Sequence, residues 1–178
     1  MPKPEHPMRR PLALTLALLA ATPGHASNAM FQFCWIGGGG YTMEGTIEFP
    51  DTLLGTGIIT EEDVTGFRIE GRHDGISVGA WSLQDRLPDT SWTLFFDTRS
   101  LEFPTGGIRS QGRYQAWNAH GAVNDCGAGG FGFNAGNYAQ DVCVDNTFIT
   151  ISSIDRDTPL RAYPMDMALT CQSAAALM

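Results

Sequence analysis

The sequence predicts an all-β protein: a single antiparallel β-sandwich or barrel of consecutive hairpins, with one long glycine-rich loop region stapled by a disulfide. Three observations point there. Tyr41, Met43, Gly45, Ile47 and Phe49 alternate with Thr42, Glu44, Thr46 and Glu48, the period of a strand with one face buried. Short apolar runs are separated at close spacing by Gly, Pro and Asp turns, as in antiparallel all-β domains. Helical patterning is scarce: Thr60 and Asp63 resemble a capping pair, but Gly66 follows at once and leaves room for one short turn.

Each element can be read in chain order. Phe31, Phe33 and Trp35 line one face of a first strand, and Gly37-Gly38-Gly39-Gly40 turns it into the strand at 41–49. Phe67 and Ile69 alternate with Arg68, Glu70 and Arg72; His73-Asp74-Gly75 then makes a hairpin turn, and Ile76 to Leu83 returns. Trp92, Leu94 and Phe96 form one strand running into the Asp97–Ser100 turn, from which Leu101-Glu102-Phe103 comes back. Residues 104–146, rich in glycine and carrying Asn118, Asn124, Asn134 and Asn137, read as the long loop region. Phe148 to Ile154 and Met165 to Cys171 read as two closing strands, and 173–178 as a frayed tail.

At 178 residues the chain is expected to hold one domain, residues 27–172, preceded by a secretory signal over residues 1–26. Arg9 and Arg10 supply the basic start (Met8 is an alternative initiator). Leu12 to Ala21 supply ten apolar residues broken only by Thr15, and Thr22 to Ala26 a turn with small residues for cleavage. A bilayer needs about 20 apolar residues, so the segment reads as a cleaved signal rather than an anchor. Cleavage is expected after Ala26, with Ala29 as second choice. No later run is apolar enough to cross a membrane as a helix, so the mature chain is expected to be secreted or periplasmic, with no membrane insertion.

Losing Lys3, Arg9, Arg10 and Glu5 with that segment takes the net charge from −8 to −10 and removes the only lysine. Such a surface repels nucleic acid and anionic headgroups. With 43% hydrophobic residues the chain can bury a core, which excludes charged disorder. No period of about 20–50 residues repeats, which excludes a solenoid.

All four cysteines lie after the signal. In an oxidising compartment they are expected to form two disulfides, Cys126–Cys143 across the glycine-rich region and Cys34–Cys171 between the first and last strands. Zinc would want close Cys or His pairs, and none occurs.

Tyr41-Thr-Met-Glu-Gly-Thr-Ile-Glu-Phe49, Gly57-Ile-Ile-Thr-Glu-Glu-Asp-Val64, Asp74-Gly75 with Trp81-Ser-Leu83, and Phe95-Phe96-Asp97-Thr98 resemble a layout found in exported bacterial β-rich proteins, some of them PEP-CTERM sorted. The resemblance covers roughly residues 31–103. It implies an exported β domain without a known activity. The Pro-Glu-Pro tripeptide, membrane helix and basic tail of sorted members do not occur here, so anchoring is not expected.

Gly75-Ile76-Ser77-Val78-Gly79 spells the nucleophile elbow of serine hydrolases, with His120 downstream. That elbow requires a strand turning sharply into a helix, whereas these residues open a hairpin's return strand. The glycine stretches lack the strand–helix frame of phosphate loops. Asp141, Asp145, Asp155 and Asp157 offer oxygen ligands for calcium but not at EF-hand spacing, and read as solvated turn acids. Trp35 and Trp92 share parity with core residues. Tyr114-Gln115-Ala116-Trp117-Asn118-Ala119-His120 places aromatic rings beside amides, a composition suited to sugar faces and hydroxyls.

These readings converge on an exported non-catalytic β domain with a structural or surface-interaction role. Its expected partners are an extracellular polysaccharide or an envelope protein. The alternatives are a carbohydrate-binding module using Trp117, Asn118 and Trp81, and a small secreted hydrolase using Ser77 and His120. No catalytic, cofactor-binding or metal-binding residue is assigned.

Overall fold

A computed structural model describes residues 27–169 together with Met1 and Cys171. The remainder of the expected signal and the 173–178 tail lie outside the described residues. The fold is all-β, two antiparallel sheets forming a sandwich or half-barrel, stapled by two disulfides.

The first half of the chain builds most of the larger sheet as its alternation predicts. β1 (Asn28–Ile36) pairs with β2 (Tyr41–Pro50), and Phe31, Phe33, Trp35, Met43, Ile47 and Phe49 all turn inward. Gly39 and Gly40 hold positive φ in the turn between these strands, a conformation glycine adopts without steric cost. β4 (Gly66–His73) and β5 (Ile76–Ser82) make the expected hairpin around Asp74-Gly75, both with positive φ. The Thr60–Asp63 pair closes a turn, the Thr60 backbone N–H donating to Asp63 Oδ2 at 2.9 Å. This turn follows the short β3 (Ile58–Thr60).

Three expectations are corrected. The strand read from Trp92 to Phe96 is bent across a corner. β6 (Trp92–Thr93) joins the smaller sheet, whereas β7 (Phe95–Asp97) joins the larger one beside β3 and β8 (Glu102–Phe103), with Leu94 buried at the crossing.

The region 104–146 is not one long loop. It contains β9 (Gln115–Trp117), β10 (Phe131–Ala135) and β11 (Ala139–Val144), the middle of the smaller sheet. β10 is buried on both faces: Phe131, Phe133 and Ala135 join the core, while Gly132 and Asn134 lie on the other side. There the segment 118–130 covers the sheet so closely that a Cβ on Gly132 would fall 2.2 Å from the Asn118 carbonyl oxygen. A covered outer face therefore demands the glycine that makes this strand look like a loop.

The closing strands also lie elsewhere. Phe148 to Ile154 is divided into β12 (Thr147–Phe148), a 3-10 turn at Thr150–Ser152 and β13 (Ile154–Asp155). The last strand is β14 (Leu160–Pro164), with a turn at Met165 and Asp166 where a strand was expected. β14 lies against β1, giving the larger sheet the order β3-β7-β8-β14-β1-β2-β4-β5. The main path of the smaller sheet runs β12-β11-β10-β9-β6, with β13 also pairing β11.

Between the sheets lies an aromatic core, each buried ring stabilising the fold by about 1.5–3 kcal/mol relative to exposure. Trp117 is its hub, with ring centroids of Phe67, Phe133, Phe103 and Phe33 at 4.8, 4.9, 5.1 and 5.6 Å. Both disulfides pair as expected. Cys34 falls between Phe33 and Trp35 and so faces away from the core. Cys171 rests on the outer side of β1 and β2, its backbone N–H donating to Glu44 Oε1 at 3.3 Å. Among the described residues no helix is long and apolar enough to cross a membrane.

Candidate functional site

The chain leaves β9 at Trp117 and folds over the outer face of the smaller sheet before returning as β10. Asn118 anchors this cover. It holds φ +51, which asparagine tolerates better than most residues. Its side-chain amide donates to the carbonyls of Cys126 at 2.9 Å and Phe131 at 3.0 Å. Asp125 accepts from the His120 backbone N–H at 2.9 Å and from the Ser91 hydroxyl at 3.0 Å. Cys126–Cys143 then bonds the cover to β11, and Ala119, Val123 and the two cysteines form a small apolar cluster beneath it.

The three residues expected to bind a sugar are structural. Trp117 is 0% exposed and encased in aromatic rings. Trp81 is buried against Trp92, centroid to centroid 5.4 Å. Asn118 is buried and spends its amide on backbone carbonyls. A ring without an open face offers a ligand nothing to stack on, so this trio does not form a binding platform.

Ser77 lies within β5 opposite Arg72, and the chain continues extended to Ser82 where an elbow would turn into a helix. His120 belongs to the cover on the other sheet, its Nδ1 accepting from the Ala122 backbone N–H at 2.8 Å. The four acids considered for calcium are dispersed. Asp145 accepts from the Gly129 backbone N–H, and Asp155 from that of Asp157, each at 2.7 Å. Asp157 accepts from Arg109 Nη1 at 3.1 Å. Among the described residues no three His, Cys, Asp or Glu side chains meet where they could hold a metal ion.

Where the cover ends, the outer face of the smaller sheet opens into a cleft of about 270 Å³. Its floor is the directly opposed pair Asn134 on β10 and Asp141 on β11. Both are more than nine-tenths buried, Asn134 at 6% exposure and Asp141 at 7%. The Ser153 hydroxyl donates to Asp141 Oδ1. Burial pushes the Asp141 carboxyl above its ordinary value, and the Ser153 hydrogen bond opposes part of that rise. Among the described residues the Asn134 amide donates only a long bond, 3.4 Å, to the Ala119 carbonyl. Two tyrosines edge the cleft: Tyr114, 41% exposed, and Tyr138 in the β10–β11 turn, 93% exposed. Beside Tyr138, Asn137 accepts at Oδ1 from the Ile108 backbone N–H at 2.8 Å, which fixes its side chain.

Sequence reading reached Tyr114 and Asp141 but missed Tyr138. The available signal was the pairing of Tyr138 with Asn137 in a tight turn, where a large ring has no core to enter. No protein-family model matches this chain, and neither a curated protein nor a solved structure is significantly similar to it.

Proposed function

We propose that this is an exported domain that acts by binding, in a structural or surface-interaction role outside the cytoplasm, and not by catalysis. The observation that carries this reading is the pair of disulfides, Cys34–Cys171 and Cys126–Cys143. Such bonds persist in oxidising compartments and are rare where glutathione keeps thiols reduced. The signal-like residues 1–26 and the resemblance over residues 31–103 point the same way.

Binding is favoured over catalysis by how the chain spends its polar groups. Asn118, Asp125 and Cys126 hold the cover in place, and Ser77 is embedded in a strand without the turn a nucleophile elbow needs. The result is a rigid sheet face with protruding tyrosines, side chains that bring large contact area at low entropic cost.

Expression of the full chain in a Gram-negative host, followed by intact-mass analysis of unreduced protein, tests the reading. The expected product is extracytoplasmic, begins at Ser27 and contains no free thiol. It leaves short-chain esters uncleaved, as does Ser77→Ala. Cytoplasmic retention with four free thiols, or ester turnover abolished by Ser77→Ala, would overturn it.

A further inference from the structure

We propose that the cleft between Tyr114 and Tyr138 binds one pyranose ring of a neutral polysaccharide; this rests on the reading of the chain as an exported binding domain. Three observations carry the assignment.

The first is an incompletely satisfied polar floor. Asn134 and Asp141 are opposed across β10 and β11, and although both residues are mostly buried, their undonated oxygens are not sealed off but open to the cleft. Ser153 occupies Oδ1 of Asp141, while among the described residues nothing donates to Oδ2. Nor, among the same residues, does anything donate to Oδ1 of Asn134. The floor thus presents two acceptors side by side, which adjacent sugar hydroxyls would satisfy as donors.

The second is the aromatic rim. Tyr138 is almost wholly exposed on a turn that its neighbour Asn137 fixes through Ile108, and Tyr114 retains a half-open ring, with the Phe95 ring 6.5 Å away. A pyranose has an apolar face of C–H groups and an equatorial belt of hydroxyls. Stacked on a tyrosine it would bury the face and direct the belt to the floor, the combination of apolar wall and few polar anchors that small-ligand sites use.

Size and charge narrow the class. About 270 Å³ falls below the ~300–1,000 Å³ of sites that enclose drug-sized ligands, and suits one ring of a chain that continues into solvent. A carboxylate floor on a protein of net charge −8 disfavours uronate or phosphorylated glycans.

Gly121 and Tyr138 provide a clean test. Gly121 lines the cleft, its φ is not positive, and a Cβ there would meet nothing within 4 Å. Gly121→Leu therefore adds a bulky side chain at the cleft lining without straining the backbone or clashing with a neighbour. The exported, oxidised chain is titrated calorimetrically with cellohexaose, laminarihexaose, chitohexaose and, as anionic comparison, an alginate hexamer, alongside Gly121→Leu and Tyr138→Ala. The expected result is saturable binding of at least one neutral hexamer and none of alginate. Gly121→Leu and Tyr138→Ala should each weaken that binding about tenfold or more at unchanged Tm. Absence of binding to all neutral hexamers, or binding that both variants leave intact, would overturn the proposal. Either outcome leaves export and disulfide content as measured, so the wider reading fails only by its own mass and ester tests.

Discussion

Phe131 occupies the space that Gly71 leaves empty: a Cβ built on Gly71 would fall 2.0 Å from Cε2 of the Phe131 ring. The two residues belong to opposite sheets, β4 and β10, and Gly79 beside Gly71 on β5 leaves a similar gap, 3.1 Å from Phe131 Cβ. This glycine pair is how the smaller sheet comes down onto the larger one. The ring is fully buried and has nowhere to retreat.

Gly71→Ala is therefore expected to destabilise the domain by overpacking, about 1–3 kcal/mol. Gly121→Ala is the matched control, since neither position has positive φ and only the free space differs. It should be neutral or slightly stabilising, because alanine narrows the unfolded ensemble. Urea denaturation of the two variants checks this. Equal stability for both would mean that Phe131 does not sit in the Gly71 notch.

Trp117 gives a second prediction. Trp117→Ala empties the centre of four aromatic contacts and should cost about 3–5 kcal/mol. Among the described residues the indole N–H has no hydrogen-bond partner, and burying an unpaired donor costs about 1–3 kcal/mol. Trp117→Phe removes that burden while keeping a ring, so its loss of stability should be less than half that of Trp117→Ala. Thermal denaturation of the pair decides it; equal losses would show that neither the retained ring nor relief of the unpaired N–H restores stability.

Why Trp117 looked like a ligand platform is instructive about what a single sequence conveys. β1, β2 and β4 were legible because each has one apolar and one polar face, so alternation survives in Phe31-Gln-Phe-Cys-Trp35 and in Tyr41 to Phe49, while β5 was legible from its Asp74-Gly75 turn. β9 to β11 are covered on both sides, and alternation collapses. Gln115, Ala116 and Trp117 are all buried, and the outward positions of β10 carry Gly132 and Asn134. Segments with that composition read as loop. Both disulfides were legible because four cysteines allow few pairings. The cleft was not, because Asn134 and Asp141 meet only through the β10–β11 register, which depends on recognising both strands.

The Cys126–Cys143 bond offers a third prediction, since it ties the cover to β11 across a sequence separation of 17. Removing it as Cys126→Ser with Cys143→Ser should cost about 3 kcal/mol, against somewhat more for the Cys34–Cys171 bond with its separation of 137. The local consequence differs from the global one. Amides of residues 119–130 should lose hydrogen-exchange protection in the first variant while those of β1 and β2 keep theirs. Uniform loss across both sheets would show that the cover is not a separate unit.

Asp141 makes the stability of the domain depend on pH in an unusual direction for a carboxylate. Most folded-state aspartates are held below their ordinary value by partners, and acid weakens the protein. Here burial raises the carboxyl above 3.8, so the native state holds its proton to higher pH than the unfolded chain does. Asp141's contribution to stability is thus fully present below 3.8 and is lost as pH rises through the raised value. Asp141→Asn cannot ionise, yet its amide oxygen can still accept the Ser153 hydroxyl. The variant should match wild type in acid, gain on it as pH climbs through the window above 3.8, and keep a constant advantage near neutrality. Urea midpoints for both proteins from pH 3 to 7 supply the measurement. A difference that stays flat over that range would mean that Asp141 ionises in the fold as readily as in water. The opposite slope, with the variant falling behind as pH rises, would place an unseen cation or donor on the carboxylate.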